Sequence, residues 1–418
     1  MRHFVVTECL DCLPITSNEE KAFTAADADE LDRYVGINQL EQDQISITRQ
    51  GVTFINYVGF IQLTSCSIEI LPKVSGDDPV KSRRVLLHML NKSRFLDIHE
   101  SQTSQLVTEN MNLIEIIGYL LVNKLSKELA RGSFRTYQSE QAVVQRVRGK
   151  IDMASQLKRS AVKQAGVSCI YDEFEVNNPL NQVFKAAIQY LMMATANTEI
   201  RKLARHCLVI LEQVSSVPVH STMLNRIAFD RTNRRFESSF QLARLILSCS
   251  APTAALGHTR SSSILFKMNE LFEAYVAYLV RKLAPHAIEK DRRYKLLIKE
   301  GNGRGVFQLE PDIYVPISNG QAMLLDTKWK ILRSGYSRHG VKREDFYQMY
   351  AYLTRYKEVG TVVLLYPYHS GIEGGSGEYL ESWHLEDQPD KKLKLYALRY
   401  DDEEQAEREL RAILKDEE

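Results

Sequence analysis

Residues 309–330 read LEPDIYVPISNGQAMLLDTKWK, and the way this stretch folds decides what the chain is. Two apolar runs flank the turn-forming SNG, which predicts a β-hairpin. Each run carries one aspartate among apolar neighbours, Asp312 in the first and Asp326 in the second, and Lys328 follows Asp326 by two positions. On a strand, side chains i and i+2 share a face, so Asp326 and Lys328 point the same way. The hairpin brings Asp312 beside Asp326. Two carboxylates that close repel each other unless a cation lies between them. A hard divalent ion such as Mg²⁺, with Mn²⁺ as its substitute, binds through carboxylate oxygens, and the backbone carbonyl of Thr327 offers a further ligand. Such an ion stabilises negative charge on a phosphate. Lys328 then stands where it can orient an attacking water and offset the growing charge. The competing reading is a salt bridge between strands at a sheet end, which residue types alone do not separate from the first.

The flanking segments extend the pattern. FKMNELFEAYVAYLVRKL, upstream, has the apolar spacing of an amphipathic helix and sets Glu270 and Glu273 on one face, with Glu273 as a candidate beside the metal. Downstream, VKREDFYQMYAYLTRYK predicts a second helix. It places Gln348 and Tyr352 at i, i+4, where they can brace the lysine or touch a phosphate. For Tyr352, packing is the simpler role. His339, in the loop between, reaches toward the same place but reads more simply as a loop residue. TVVLLYPY is an apolar strand. Helices alternating with strands from 259 to 418 indicate an α/β unit.

The chain upstream differs in kind. Residues 1–110 are β-rich: in SIEILPKV, Ile68 and Ile70 point one way, Glu69 and Leu71 the other. Residues 111–258 are mostly helical. NLIEIIGYLLVNKLSKELARG repeats apolar residues at helical spacing and ends near Gly132, a C-terminal cap position. Asn177 or Asn178 caps the helix that Pro179 opens.

A net charge of +1 over 418 residues means that any nucleic-acid contact must come from local patches. Residues 131–163 hold eight Lys or Arg against two acids. Arg146, Arg148 and Lys150 lie in that segment, and Arg234 and Arg235 in NRIAFDRTNRRF; all five are candidate contacts to DNA phosphates or to a partner, with a solvated basic face as the plain alternative. The six cysteines include one CxxC, Cys9 and Cys12, with no second pair to complete a zinc site. Their scatter suits a reducing interior. No run reaches the ~18 apolar residues of a membrane span, and the N-terminus is too polar for a signal peptide. A cytoplasmic protein without a membrane partner is expected. GNGRG at 301–305 lacks the Lys-Ser or Lys-Thr of a phosphate-binding loop, so the chain is not expected to hydrolyse nucleotide itself.

Taken together, PD at 311–312, DTK at 326–328 and QMYAY at 348–352 resemble the PD-(D/E)xK nuclease core, a mixed sheet flanked by helices. FIQLTSCSIEILPKV, RGKID, YDEFEVNNPLNQVFKAAI and MNELFEAYV, in this order, resemble the McrC family over most of the chain. The resemblance implies an endonuclease domain at 259–418, a β-rich partner-docking domain at 1–110 and a helical region at 111–258 that contacts DNA or partner. It implies a Mg²⁺-dependent endodeoxyribonuclease subunit of a modification-dependent, 5-methylcytosine restriction system, leaving a 5′-phosphate. It further implies catalytic roles for Asp312, Asp326, Lys328, Glu273 and Gln348, modified double-stranded DNA as substrate and an McrB-like AAA+ GTPase hexamer as partner. The alternative is an adaptor that keeps the nuclease-like fold and only activates an AAA+ NTPase.

Overall fold

The computed structural model describes residues 2–16, 22–37, 40–41, 44–73, 78–93, 95–96, 111–161, 165–248, 262–317, 320–372 and 375–415. The chain forms two compact units. One joins Met1–Asn110 to Leu265–Glu418, and the other is Met111–Ile264. The sequence reading set the first and last segments apart, as 1–110 and 259–418. In the structure these two segments cluster as one unit, with helix Pro79–Lys92 against helix Met268–Leu283.

In the first unit three strands of a sheet run in the order Arg2–Thr7, Cys66–Leu71, Tyr57–Gln62. Arg2–Thr7 pairs parallel to Cys66–Leu71, which pairs antiparallel to Tyr57–Gln62. Both faces of Cys66–Leu71 are buried. Helix Pro79–Lys92 packs against this strand. Arg83 on that helix neutralises Glu69, donating from Nε to Oε1 at 2.9 Å and from Nη2 to Oε2 at 2.7 Å.

The same unit holds a six-stranded mixed sheet in the order Ile288–Glu289, Ile313–Pro316, Ala322–Thr327, Val359–Pro367, Lys392–Leu398, Tyr379–His384. Its three central strands, Ala322–Thr327, Val359–Pro367 and Lys392–Leu398, are parallel, and antiparallel strands lie outside them. Parallel strands buried on both faces read as continuous apolar runs, as AMLL and TVVLLY do. Ala322 and Leu324 face a core shared with Met349 and Tyr352 of helix Arg343–Arg355. The alternate residues Met323 and Leu325 are equally buried, on the side where helix Met268–Leu283 meets the strand. The run from Gly305 to Pro316 is not one strand. It breaks into Gly305–Gln308, paired with Lys295–Ile298, and Ile313–Pro316, and leaves residues 309–312 between them.

The second unit packs helices Leu113–Ala130, Pro179–Ala194, Thr198–Ile210 and Glu237–Ser248 together. Its helix ends follow the expected chemistry. Asn112 and Glu115 form a capping box, Asn178 accepts from the Asn181 N–H, and Gly132 adopts φ 111° just past the first helix. A long hairpin pairs Thr136–Val144 with Val167–Glu175, and Lys150–Ile151 adds a short third strand. Among the described residues no helix is long and apolar enough to cross a membrane.

Candidate functional site

The hairpin register pairs Ile313 with Leu325, so Asp312 and Asp326 form the next pair outward, at the rim of the sheet. Asp312 lies one residue before its strand rather than inside it. That frees its carboxylate to reach the neighbour: Oδ2 accepts from the Thr327 N–H and from the Thr327 hydroxyl, each at 2.7 Å. Asp326 is the last but one residue of the adjacent strand and only 1% exposed. Lys328, one residue past that strand, is held by its N–H to the Leu365 carbonyl at 2.8 Å. As the i, i+2 spacing predicts, Lys328 Nζ forms a close ion pair with Asp326 Oδ2.

Helix Arg343–Arg355 completes the lysine's surroundings. Lys328 Nζ donates to Gln348 Oε1 at 3.1 Å, and Gln348 Nε2 donates to the Tyr352 hydroxyl at 2.9 Å. The Tyr352 hydroxyl in turn donates to the Glu310 carbonyl at 3.1 Å. Tyr352 therefore packs and braces at once. Glu273, on helix Met268–Leu283, pairs with Lys290 Nζ at 3.1 Å, and the Lys290 N–H donates to the Asp312 carbonyl at 3.0 Å.

Electrostatics marks this rim. Burial, then the charge of Asp312, raises the Asp326 pKa to about 7, although Lys328 pulls the other way. Burial works against the Lys328 ammonium, but Asp326 and Asp312 outweigh it and raise its pKa. Burial and then Asp312 raise Glu273, with Lys290 opposing. Neither Asp326 oxygen receives a hydrogen bond of good geometry, despite the close contact with Lys328. A buried carboxylate with vacant lone pairs, a second carboxylate beside it and a backbone carbonyl next in sequence is an oxygen donor set that fits a hard divalent cation.

Several residues at this rim were not read from the sequence. Lys290 carries no pattern of its own. Asp345 resembles an ordinary acid in a helix's first turn, yet it is 6% exposed, takes Lys330 Nζ at 2.8 and 3.0 Å and the Tyr366 hydroxyl at 3.2 Å, and its charge acts on both Asp326 and Lys328.

Other candidates lie elsewhere. His339 is paired with Glu381 at 3.7 Å. Arg146, Arg148, Lys150, Arg234 and Arg235 are exposed on the second unit, as expected for solvent-facing cations. Arg148 pairs with Glu173 at 3.3 Å and stands 4.3 Å over the Tyr171 ring. Arg235 bonds the Gly132 carbonyl. Among the described residues, the three carboxylates that gather within 4.8 Å of one another are Glu140, Glu173 and Glu175 on the second unit's hairpin, not Asp312, Asp326 and Glu273. The hairpin trio is only half-buried and one of its members already holds Arg148. The sheet rim offers two acids plus a carbonyl. Cys9 and Cys12 are free thiols.

No curated protein matches the chain. Among solved structures, one chain of a refined half-complex from a tetradecameric assembly of Thermococcus gammatolerans McrB AAA+ hexamers with bound McrC is 19% identical at a TM-score of 0.72, covering 98% of this chain and 100% of that one. A chain of the cryo-EM structure of the Thermococcus gammatolerans McrBC complex is 22% identical at a TM-score of 0.54, covering 68% of this chain and 88% of that one. At such identity these likenesses bear on the fold alone. The sequence match goes further: residues 52–367 fit the family described as McrBC 5-methylcytosine restriction system component, which is more than half of the chain, and the protein belongs to that family.

Proposed function

We propose that the chain is the Mg²⁺-dependent endonuclease subunit of its restriction system, cutting modified double-stranded DNA through a PD-(D/E)xK core and working with an McrB-type AAA+ GTPase hexamer in the cytoplasm. The observation that carries this is Asp326: buried beside a second carboxylate, Asp312, with Lys328 against Oδ2 and no donor to Oδ1. One ammonium does not balance two neighbouring carboxylates, and a divalent cation would. The partner is supported by the resemblance of fold to chains solved with McrB hexamers.

Asp312, Asp326 and the Thr327 carbonyl would hold the cation, which supplies Lewis acidity at the scissile phosphate. Lys328 Nζ stands next to the donor set, where it orients the attacking water by hydrogen bonding and offsets charge that develops on the phosphate. Gln348 keeps the lysine from collapsing wholly onto Asp326, and Tyr352 holds Gln348 in turn. Glu273, its charge opposed by Lys290, supports the acidic rim from the other helix. The basic residues of the second unit would hold the DNA backbone or the partner.

The test is cleavage of methylated plasmid with the partner, GTP and Mg²⁺. Asp312→Ala should abolish cutting and Lys328→Ala should slow it by orders of magnitude, while the stimulated GTPase persists. Normal cutting by both variants rules out this site. Cutting absent from the wild type, with GTPase stimulation present, makes the chain an adaptor.

A further inference from the structure

The residue after the lysine is held unusually well. Trp329 is buried and packs against helix Met268–Leu283, whereas Lys328 meets helix Arg343–Arg355. Its ring meets Phe272 at 5.3 Å and Tyr400 at 5.2 Å between centroids. Phe272 immediately precedes Glu273. One aromatic cluster thus backs two residues of the candidate site. The polar edges of that cluster are closed from the far end of the sequence. Trp329 Nε1 donates to Glu8 Oε1 at 2.5 Å, and Glu8 Oε2 accepts from the Asn56 N–H at 3.0 Å. Lys73 Nζ donates to the Trp329 carbonyl at 3.3 Å and stands 5.2 Å from the indole centroid. The Tyr400 hydroxyl donates to the Lys73 carbonyl at 2.9 Å. Glu8 is 0% exposed and Lys73 is 7% exposed.

Burying a carboxylate and an ammonium is costly, and an aliphatic pair of the same volume would fill this space at least as stably. What the charged pair adds is direction. It holds Trp329 at two points, the indole N–H and the carbonyl, and so sets the backbone on which Lys328 hangs. We infer that Glu8 and Lys73 are positioning residues for Lys328, so that the N-terminal segment is part of the nuclease site. This rests on the nuclease reading above. A displacement of about 1 Å at a reacting group can lower a rate on the order of a hundredfold, so a modest loss of hold is measurable.

The experiment uses the full chain with its GTPase partner and compares wild type, Trp329→Phe, Glu8→Ala and Glu8→Gln below their melting transitions. Trp329→Phe keeps the ring contacts and removes only the donor. It should lower the cleavage rate at saturating DNA about tenfold, with KM for DNA and Mn²⁺ affinity within about twofold of wild type. Glu8→Ala should lose as much, and Glu8→Gln, which keeps an acceptor for the indole N–H, should recover most of that loss. Trp329→Phe cutting at the wild-type saturating rate overturns the inference alone. So does a loss that follows Mn²⁺ affinity or KM instead of the saturating rate. A wild type that cuts no DNA overturns the nuclease reading and this inference with it. Should Glu8→Ala not fold, the contrast of Trp329→Phe with Glu8→Gln decides.

Discussion

Thr327 gives both its backbone N–H and its hydroxyl to a single oxygen of Asp312, Oδ2, at 2.7 Å each. In the proposed site the other oxygen, Oδ1, is the one left for the cation. Thr327→Val keeps the backbone bond and removes the hydroxyl. A net loss of about 1 kcal/mol is expected for one such bond, which is roughly fivefold in Mn²⁺ affinity and in cleavage rate. Thr327→Ser, retaining the hydroxyl, should stay near wild type. Equal Mn²⁺ titrations for the valine and serine variants would show that the hydroxyl does not aim Asp312.

The path from Lys328 through Gln348 to Tyr352 makes a graded prediction. Removing Lys328 deletes the group that faces the developing charge, and the cutting rate should fall by a factor of about 10² to 10³. Gln348→Ala leaves the lysine with Asp326 as its remaining partner at the site and should cost about tenfold. Tyr352→Phe loosens Gln348 and strips the Glu310 carbonyl of its donor. It should cost less than Gln348→Ala. Single-turnover cleavage orders the three, and a Tyr352→Phe defect larger than that of Gln348→Ala contradicts the chain of support.

Asp326 links metal binding to pH. Its pKa in the fold, about 7, lies above its ordinary value of 3.8. A group raised in this way favours folding most fully below 3.8 and loses that contribution as pH climbs through about 7. The metal-free protein should therefore become less stable across that window. A divalent cation competes with the proton for the same oxygens, so its affinity should rise up to about pH 7 and flatten above. Saturating Mg²⁺ should raise Tm more at about pH 8 than at about pH 6, and Asp326→Asn should remove the difference. An equal Mg²⁺ gain at both pH values in the wild type would place the cation elsewhere.

What could be read from the sequence follows the reach of its local rules. Asp326 and Lys328 were legible because strand periodicity is two residues. Gln348 and Tyr352 were legible because helical neighbours are four apart. The facing of Asp312 and Asp326 needed only a hairpin. Its details did not follow: the strand begins one residue after Asp312, and Thr327 serves as a side-chain partner as well as through its backbone. Asp345 stayed hidden because a buried acid in a helix's first turn looks the same in sequence as a solvated one. The Glu8 and Trp329 pair spans 321 positions and leaves no local trace. The same distance hid the other contacts that join the first and last segments, such as Tyr400 to Lys73.

Glu69 gives a prediction about stability apart from the site. Glu69 is 0% exposed and held by Arg83 through both oxygens, with His3 Nε2 3.6 Å from Oε2. Removing one partner of a buried pair strands the other's charge, so Glu69→Leu alone and Arg83→Met alone should each cost about 3–5 kcal/mol. Replacing both together removes the two desolvation costs along with the attraction, and should come within about 1–2 kcal/mol of wild type. Urea denaturation of the two single variants and the double variant measures the coupling. Additive losses would mean that helix Pro79–Lys92 is held to the strand by its apolar residues alone, with the charges as bystanders.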